Sequence, residues 1–168
     1  MFAMPPAGPS DRFDVASATA PAPNDVADRL AIRALIDAYA HFADSRQPER
    51  QADLYVEGGR TLVFPDPAVD EPAQVLTTRD EHLEGFGALK QYVATTHFNG
   101  QSVALIDGDT ATGESYCLAH HVLEAGTGRQ LIVMAIRYRD VFTRADGAWR
   151  FAERRLFIDW TETRPLAS

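Results

Sequence analysis

Four side chains of complementary chemistry stand out in this chain. Tyr39 and Asp44 lie near the end of the first long helical pattern, His97 lies in TTHFNGQ and Arg154 lies in WRFAERR. A carboxylate can orient an imidazole so that it takes a proton, while a phenol or a guanidinium can assist the departing group. If separate segments bring these groups to one apolar pocket, they can move a proton on a buried small molecule. Their combination predicts a small enzyme.

Asp44 and His97 are the expected catalytic dyad. Asp44 lies at the negative end of the helix dipole, where a carboxylate gains proton affinity unless a cation is near. His97 follows the third helical pattern, and a nearby carboxylate would fix its tautomer. Read singly, Asp44 also fits a solvated helix end, and His97 fits a core histidine bonded to the backbone.

His121 is the favoured second histidine. His120 and His121 are adjacent on a predicted strand, so their side chains point to opposite faces. His121 shares its face with the small residues Cys117 and Ala119, which leave space for a ligand. A surface or interface position remains the alternative for at least one of the two histidines.

The remaining candidates concern charge and substrate. Arg154 could hold a carboxylate, a leaving group or a developing oxyanion, and a salt bridge to an acid on a neighbouring strand is the alternative. Aromatic residues from several segments predict an apolar, ring-containing substrate. The residues expected to bind it, besides His121, are Phe42, Phe64, Phe98 and Trp160.

Helical patterns dominate the first part of the chain. Apolar residues recur at helical spacing from Asn24 to about Ala43. A short helix, a strand and a third helix are predicted after it, and the stretch between the strand and the third helix is predicted as a loop. The short helix is predicted from Glu49 to Tyr55 and the strand from Arg60 to Phe64. The loop covers 65–82, and the third helix runs from Gly85 to Thr95.

The second part of the chain reads as antiparallel strands. Two Asp-Gly turns, at 107–109 and 145–147, each join a pair of predicted strands. Helices followed by long strands predict an α+β domain with helices on one face of a curved sheet. The outer sheet face is expected to expose Leu118, Val122, Ile132 and Met134, which predicts a homo-oligomer.

Composition narrows the classes of partner and compartment. The net charge of -8 opposes binding to nucleic acid, and no stretch has the roughly 20 apolar residues of a membrane span. Cys117 is the only cysteine and no ligand spacing suggests a metal, so we expect a cytoplasmic protein without a metal centre. Residues 1–23 are expected to form a flexible arm, 24–163 a single domain and 164–168 a tail.

The order of elements and these residues resemble the SnoaL-like family of the nuclear transport factor 2-like superfamily. The resemblance implies a cone-shaped α+β barrel, in which a bent mixed sheet wraps round the N-terminal helices and encloses an apolar pocket. It covers about Val26 to Trp160 and rests on IRALIDAYAHFAD (32–44), GFGALKQYVATTHFNGQ (85–101), IDGDTATGESY (106–116) and YRDVFTRADGAWRFAERRLFIDW (138–160).

Within that superfamily the chain is most similar to lyases that abstract a proton: scytalone dehydratase, bile acid 7α-dehydratase and hexachlorocyclohexane dehydrochlorinase. The resemblance implies a catalytic dyad of Asp44 and His97, catalytic roles for Tyr39 and Arg154, and a second active-site histidine at His121. It implies no cofactor, and it implies a homo-oligomer, with a trimer favoured and a dimer as the alternative.

The leading prediction is therefore a cofactor-independent dehydratase or other lyase acting on a small apolar substrate. An isomerase or a cyclase would use the same base. A non-catalytic subunit for ligand binding or oligomerisation, of the dioxygenase small-subunit type, is the alternative of a different class, because one fold hosts many functions.

Overall fold

A computed structural model describes residues 25–126 and 128–166. Helices come first in the chain and long strands follow. The helices are α1 (Val26–Asp44), α2 (Pro48–Ala52) and α3 (Arg79–Gly87), which continues into a 3₁₀ turn (Ala88–Gln91). The strands are β1 (Tyr55–Phe64), β2 (Gln74–Leu76), β3 (Ala94–Asp107), β4 (Thr110–Ala125), β5 (Gly128–Ala145) and β6 (Ala148–Leu166).

The described strands form one mixed sheet in the order β2-β1-β6-β5-β4-β3. Strands β3 to β6 are an antiparallel meander, and β1 joins it by pairing in parallel with β6. The edge strands β2 and β3 do not pair with each other, so the curled sheet stays open. The α+β prediction is confirmed.

Helix α1 packs its apolar face against the concave side of the sheet. Its buried residues recur at helical spacing, and they share a core with aromatic residues from β1, β5 and β6. This packing directs the C-terminal end of α1, including Asp44, toward β3. The buried residues of α1 are Ile32, Leu35, Ile36, Tyr39, Ala40 and Ala43.

The structure corrects the region between β1 and β3. The predicted loop 65–82 contains β2, and α3 begins at Arg79 rather than Gly85. Thr78 and Glu81 form a reciprocal capping box at its start, a pattern visible in the sequence as Thr-x-x-Glu. The predicted helix also ends early, because the chain is already a strand at Ala94 and His97 lies inside β3.

The domain boundaries remain predictions for most of the chain. The arm predicted at 1–23 lies outside the described residues. At the other end, β6 pairs with β5 as far as Leu166, so the predicted tail begins inside a strand. Within the described ranges, no helix is long and apolar enough to cross a membrane.

The outer sheet face differs from the prediction on β5. Ala125 pairs with Gly128, so even-numbered residues of β4 share a face with odd-numbered residues of β5. Ile132 pairs with His121 and Met134 lines the cavity, so both belong to the inner face. The outer face instead carries a row of apolar residues across four strands, Phe98, Leu118, Ala135 and Trp160, which we call the outer row.

Candidate active site

A cavity of about 180 Å³ lies between the helices and the concave face of the sheet. Its wall is mostly apolar, and it follows β5 from Tyr138 through Ile136 to Met134. This volume is close to that of an engineered cavity of roughly 150 Å³ that binds benzene. The polar residues of its lining are Tyr39, Gln51, Thr61, Gln74, His97, His121 and Tyr138.

Asp44 and His97 meet at one end of this cavity. Nδ1 of His97 lies 2.7 Å from Oδ1 of Asp44, and the backbone N–H of His97 donates to Oδ2 at 2.8 Å. The hydroxyl of Thr95 donates to Oδ1 at 2.9 Å. The His97 side chain is 9 % exposed and lines the cavity, whereas Asp44 lies behind it.

The electrostatics of the pair define its proton positions. Burial alone would raise the pKa of Asp44, but the hydrogen bonds and charge of His97 and the bond from Thr95 outweigh burial and lower it. Asp44 is therefore ionised at neutral pH and can only accept hydrogen bonds. Nδ1 of His97 then carries the proton that faces Asp44, which leaves Nε2 as the nitrogen able to accept one.

Tyr39 also lines the cavity, from the last turns of α1. Burial raises the pKa of its phenol, although the positive charge of Arg154 opposes that rise. Tyr39 is thus a protonated group at neutral pH, suited to donating a proton rather than taking one. Its ring makes edge contacts with Phe86, Tyr138 and Phe151.

Arg154 lies behind the cavity wall rather than in it. It is fully buried, and its Nε and Nη2 each donate to Asp140 at 2.8 Å. The guanidinium carbon lies 4.3 Å from the ring centre of Tyr39 and 4.0 Å from that of Tyr138. The prediction that Arg154 touches the substrate directly is therefore corrected, because Tyr39 and Tyr138 stand between it and the cavity.

His121 is buried in the cavity wall, with its ring centre 5.4 Å from that of His97. Neither ring nitrogen has a hydrogen-bond partner among the described residues. Burial first, and then the charges of His97 and Arg46, lower the pKa of His121 to about 4. A neutral imidazole with both nitrogens free can offer a ligand one donor and one acceptor.

The four aromatic residues predicted to bind substrate lie outside this cavity. Phe98 and Trp160 are 66 % and 51 % exposed on the outer row. Phe64 is buried on the other side of β1, where it stacks on Phe157 at 4.6 Å, and Phe42 lies under the Arg50 guanidinium. Other residues of α1, β1 and β6, whose side chains point to the inner face, form the cavity wall instead. They include Ala43, Val63, Leu156 and Ile158.

Gln51 and Thr61 are site residues that sequence reasoning missed. Gln51 is 2 % exposed on α2, and Thr61 is 2 % exposed on β1, where it donates to the hydroxyl of Tyr55 at 2.8 Å. Thr61 also lies 3.1 Å from Nε2 of His82. The strand alternation of RTLVF could have indicated Thr61, since Thr61 and Val63 share one face.

The described residues include neither a cluster with metal-binding geometry nor an ionised thiol. No group of three histidine, cysteine or acidic side chains has metal-binding geometry in the parts of the chain that the structure describes. Burial raises the pKa of the Cys117 thiol to about 12, so it is not a thiolate at neutral pH. The ionisable side chains that line the cavity are His97, His121, Tyr39 and Tyr138.

Comparison with protein families agrees with this arrangement of fold and cavity. Residues 24–155 match the model of the SnoaL-like domain. The chain belongs to the SnoaL-like domain family. A search of curated proteins returned no significant match.

Solved structures share the fold of this SnoaL-like protein. A protein assigned as a scytalone dehydratase from Novosphingobium aromaticivorans is 23% identical, with a TM-score of 0.68 over 86% of this chain and 92% of that one. Hexachlorocyclohexane dehydrochlorinase LinA-type3 from Novosphingobium barchaimii is 21% identical, with a TM-score of 0.70 over 86% and 94%.

A third similar structure is the beta subunit assigned to an aromatic-ring-hydroxylating dioxygenase of Novosphingobium aromaticivorans. It is 20% identical, with a TM-score of 0.67 over 80% of this chain and 90% of that one. At these identities the likenesses show a common fold, and the function has to be argued from the site.

Proposed function

We propose that this SnoaL-like protein is a cofactor-independent lyase that eliminates a small group, such as water or a halide, from an apolar substrate. The observation that carries the proposal is the Asp44–His97 pair, whose 2.7 Å contact leaves Nε2 of His97 free at the cavity wall. Similar folds in a dehydratase and a dehydrochlorinase support the same reaction class.

In the proposed reaction His97 is the general base. Nε2 takes a proton from a substrate carbon, and the electrons of that C–H bond form a double bond as the bond to the leaving group on the neighbouring carbon breaks. The Asp44 carboxylate stabilises the imidazolium that results. The base is later regenerated by losing its proton to water, and a side chain that has protonated the leaving group regains a proton from water.

Tyr39 is the proposed proton donor to an oxygen leaving group. Its phenol remains protonated, and giving up the proton would create negative charge on the ring that Arg154 faces at 4.3 Å. A cation over an aromatic face is attracted to it, and more strongly when water is excluded. Arg154 would thus act through Tyr39 rather than by binding substrate.

The proposed substrate is about the size of one or two rings and carries at least one oxygen or similar polar group. The cavity volume and its apolar wall favour the ring, and the free nitrogens of His121 favour the polar group. Phe98 and Trp160 do not contribute to this specificity, since both point away from the cavity.

Replacing His121 by Phe tests this polar contact. We expect the variant to bind cyclohexanone roughly 2- to 13-fold more weakly, the value of one neutral hydrogen bond, while its affinity for cyclohexane stays within error. Isothermal titration calorimetry measures both. Equal loss for the two ligands would show that His121 only shapes the cavity.

A substrate screen tests the reaction itself. Purified protein is incubated in deuterated water with cyclic alcohols, cyclic halides and hydroxyketones, and NMR detects both alkene formation and deuterium incorporation. A lyase produces the alkene, whereas an isomerase or a cyclase using the same base gives a rearranged product. Turnover that persists undiminished without the His97 imidazole would refute the proposal.

A non-catalytic subunit is the second candidate function. The observation in its favour is the similar fold of the dioxygenase beta subunit. That candidate predicts ligand binding or co-purification with a larger subunit but no turnover dependent on His97. The Asp44–His97 contact favours the lyase, because binding a ligand does not require a carboxylate that orients the imidazole as a base.

We also propose that the protein is a homo-oligomer, with a trimer favoured and a dimer as the alternative, assembled through the outer row. Phe98, Leu118 and Trp160 are 66 %, 39 % and 51 % exposed; Phe98 pairs with Leu118, and Ala135 lies between Leu118 and Trp160. Such a continuous apolar surface is typical of an interface. A cytoplasmic location remains a prediction.

Light scattering coupled to gel filtration tests the assembly. We expect a mass two or three times 18.5 kDa for the wild type and a shift to the single-chain mass for Trp160→Glu. Val141→Glu is the control, because Val141 is an exposed apolar residue of β5 outside the outer row. A single-chain mass for the wild type at micromolar concentration would contradict the proposal.

A further inference from the structure

Arg46 ends α1 in a conformation that is unusual for its residue type. Its φ is 57°, in the left-handed region where glycine and asparagine predominate. The N–H of Arg46 donates to the carbonyl of Ala43 at 3.2 Å, and the N–H of Gln47 donates to that of Phe42 at 2.9 Å. These are the two bonds of a Schellman helix end, which glycine forms without strain. The helix end therefore does not explain why an arginine occupies the position.

The Arg46 side chain folds back toward the catalytic dyad. Its Nη1 donates to Oγ1 of Thr95 at 2.5 Å and to the carbonyl of Ala43 at 3.0 Å. A guanidinium has donors and no acceptor, so Thr95 must accept this bond. The single hydroxyl proton of Thr95 is then directed at Oδ1 of Asp44, 2.9 Å away.

Asp44 consequently receives donors on both oxygens. Oδ1 accepts from Thr95 and from Nδ1 of His97, and Oδ2 accepts from the backbone N–H of His97. A carboxylate held by three donors stays ionised and cannot rotate away from the imidazole. The arrangement selects the tautomer of His97 that carries its proton on Nδ1.

We infer that Arg46 is a positioning residue, which aims the Thr95 hydroxyl at Asp44 and thereby holds His97 in the tautomer whose Nε2 can accept a proton. The backbone strain at Arg46 is retained because the side chain is needed where it is. This inference rests on the proposed role of His97, but its test requires neither a substrate nor turnover.

The test reads the His97 tautomer directly, from the ¹⁵N chemical shifts of the imidazole at neutral pH. We expect the wild type to carry the proton mainly on Nδ1. In Arg46→Met and in Thr95→Val, Asp44 is free to rotate away from Nδ1 of His97. The ratio of the Nε2–H to the Nδ1–H form should then rise by roughly 2- to 13-fold, the value of the lost bond between Nδ1–H and Asp44. The double variant should rise no further, because both changes break the same chain of bonds.

Two further variants separate positioning from a structural role. Arg33→Met is the matched control, since Arg33 also links α1 to β3 by donating to the carbonyl of Gly100 at 3.0 Å and to the Ser102 hydroxyl at 3.4 Å. It should leave the His97 tautomer unchanged. Arg46→Gly should melt at or above the temperature of Arg46→Met, because glycine suits the helix end, and yet show the same tautomer shift.

Wild-type tautomer ratios in Arg46→Gly or in Thr95→Val would overturn the inference. A failure of the proposed lyase reaction can be told apart from a failure of this inference about Arg46. A tautomer shift in both variants, in a protein with no turnover dependent on His97, would support the positioning role of Arg46 and refute the lyase.

Discussion

Replacement of His97 by Ala is expected to lower kcat/KM by roughly 10²–10⁴-fold, the usual contribution of a general base. The imidazole of His97 lines the cavity, while Asp44, which orients it, lies behind it. His121 lines the same cavity, but burial lowers its pKa to about 4, so it is a weaker base than an ordinary imidazole. The fold should survive, because the lost volume adjoins an existing cavity. Steady-state kinetics on a substrate from the screen measures the loss, and circular dichroism checks the fold.

Asp44→Asn should approach the same loss. An amide offers one accepting oxygen, whereas Asp44 accepts three bonds, so at least one donor would face the NH₂ group. When the NH₂ faces the imidazole, it favours a proton on Nε2, the wrong tautomer for a base; in a serine protease triad the same change costs about 10⁴ in kcat.

His41→Ala provides the control for both variants, because His41 is an exposed histidine of the same helix. It should retain wild-type kinetics. Full activity in both His97→Ala and Asp44→Asn would remove the lyase and leave the binding subunit as the better description.

The largest effect on stability is expected at Asp140. Its carboxylate is the partner of two Arg154 nitrogens, and the side chains of both residues are at most 1 % exposed. Asp140→Ala would leave a guanidinium buried without a counter-charge, which typically lowers the free energy of unfolding by about 3–5 kcal/mol. Urea unfolding followed by fluorescence measures the change.

The double variant Asp140→Leu with Arg154→Met is the informative comparison. Removing both charges restores an apolar interior, so it should recover much of the stability lost in the single variant. If the double variant loses as much as both single variants together, the ion pair itself, rather than the orphaned charge, stabilises the fold. Arg154→Lys should also lower the free energy of unfolding, because an ammonium cannot form both hydrogen bonds that the guanidinium donates to Asp140.

The sequence indicated the residue types of the candidate dyad better than it indicated their surroundings. Asp44 and His97 were recognisable from their places at a helix end and near the start of a strand. Their contact joins residues separated by 53 positions. It depends on how α1 docks on β3, which no local pattern contains. The groups that lower the pKa of Asp44 are His97 and Thr95 of β3, and Arg46 reaches Thr95 from a left-handed turn at the end of α1.

Arg154 illustrates why a partner on a neighbouring strand is hard to predict. The turn at 145–147 pairs Ala145 with Ala148, and continuing that register would place Arg154 opposite Arg139. An irregularity between Val141 and Phe142 shifts the register by one, and Arg154 meets Asp140 instead. By contrast, the pairing across the short β4–β5 turn determines that Met134 lies on the inner face of the sheet. That orientation was predictable from the sequence.

The parallel pairing of β1 with β6 has a consequence for folding. Strands β3 to β6 are joined by short turns, whereas the contact between Arg60 and Glu153 spans 93 positions. Closing so long a loop costs chain entropy, so we expect β1 to join the meander after β3 to β6 have paired. Thr61 and Val63 complete the cavity from β1. We therefore expect a nascent chain to lack a complete cavity until β6 has been synthesised and β1 has docked on it.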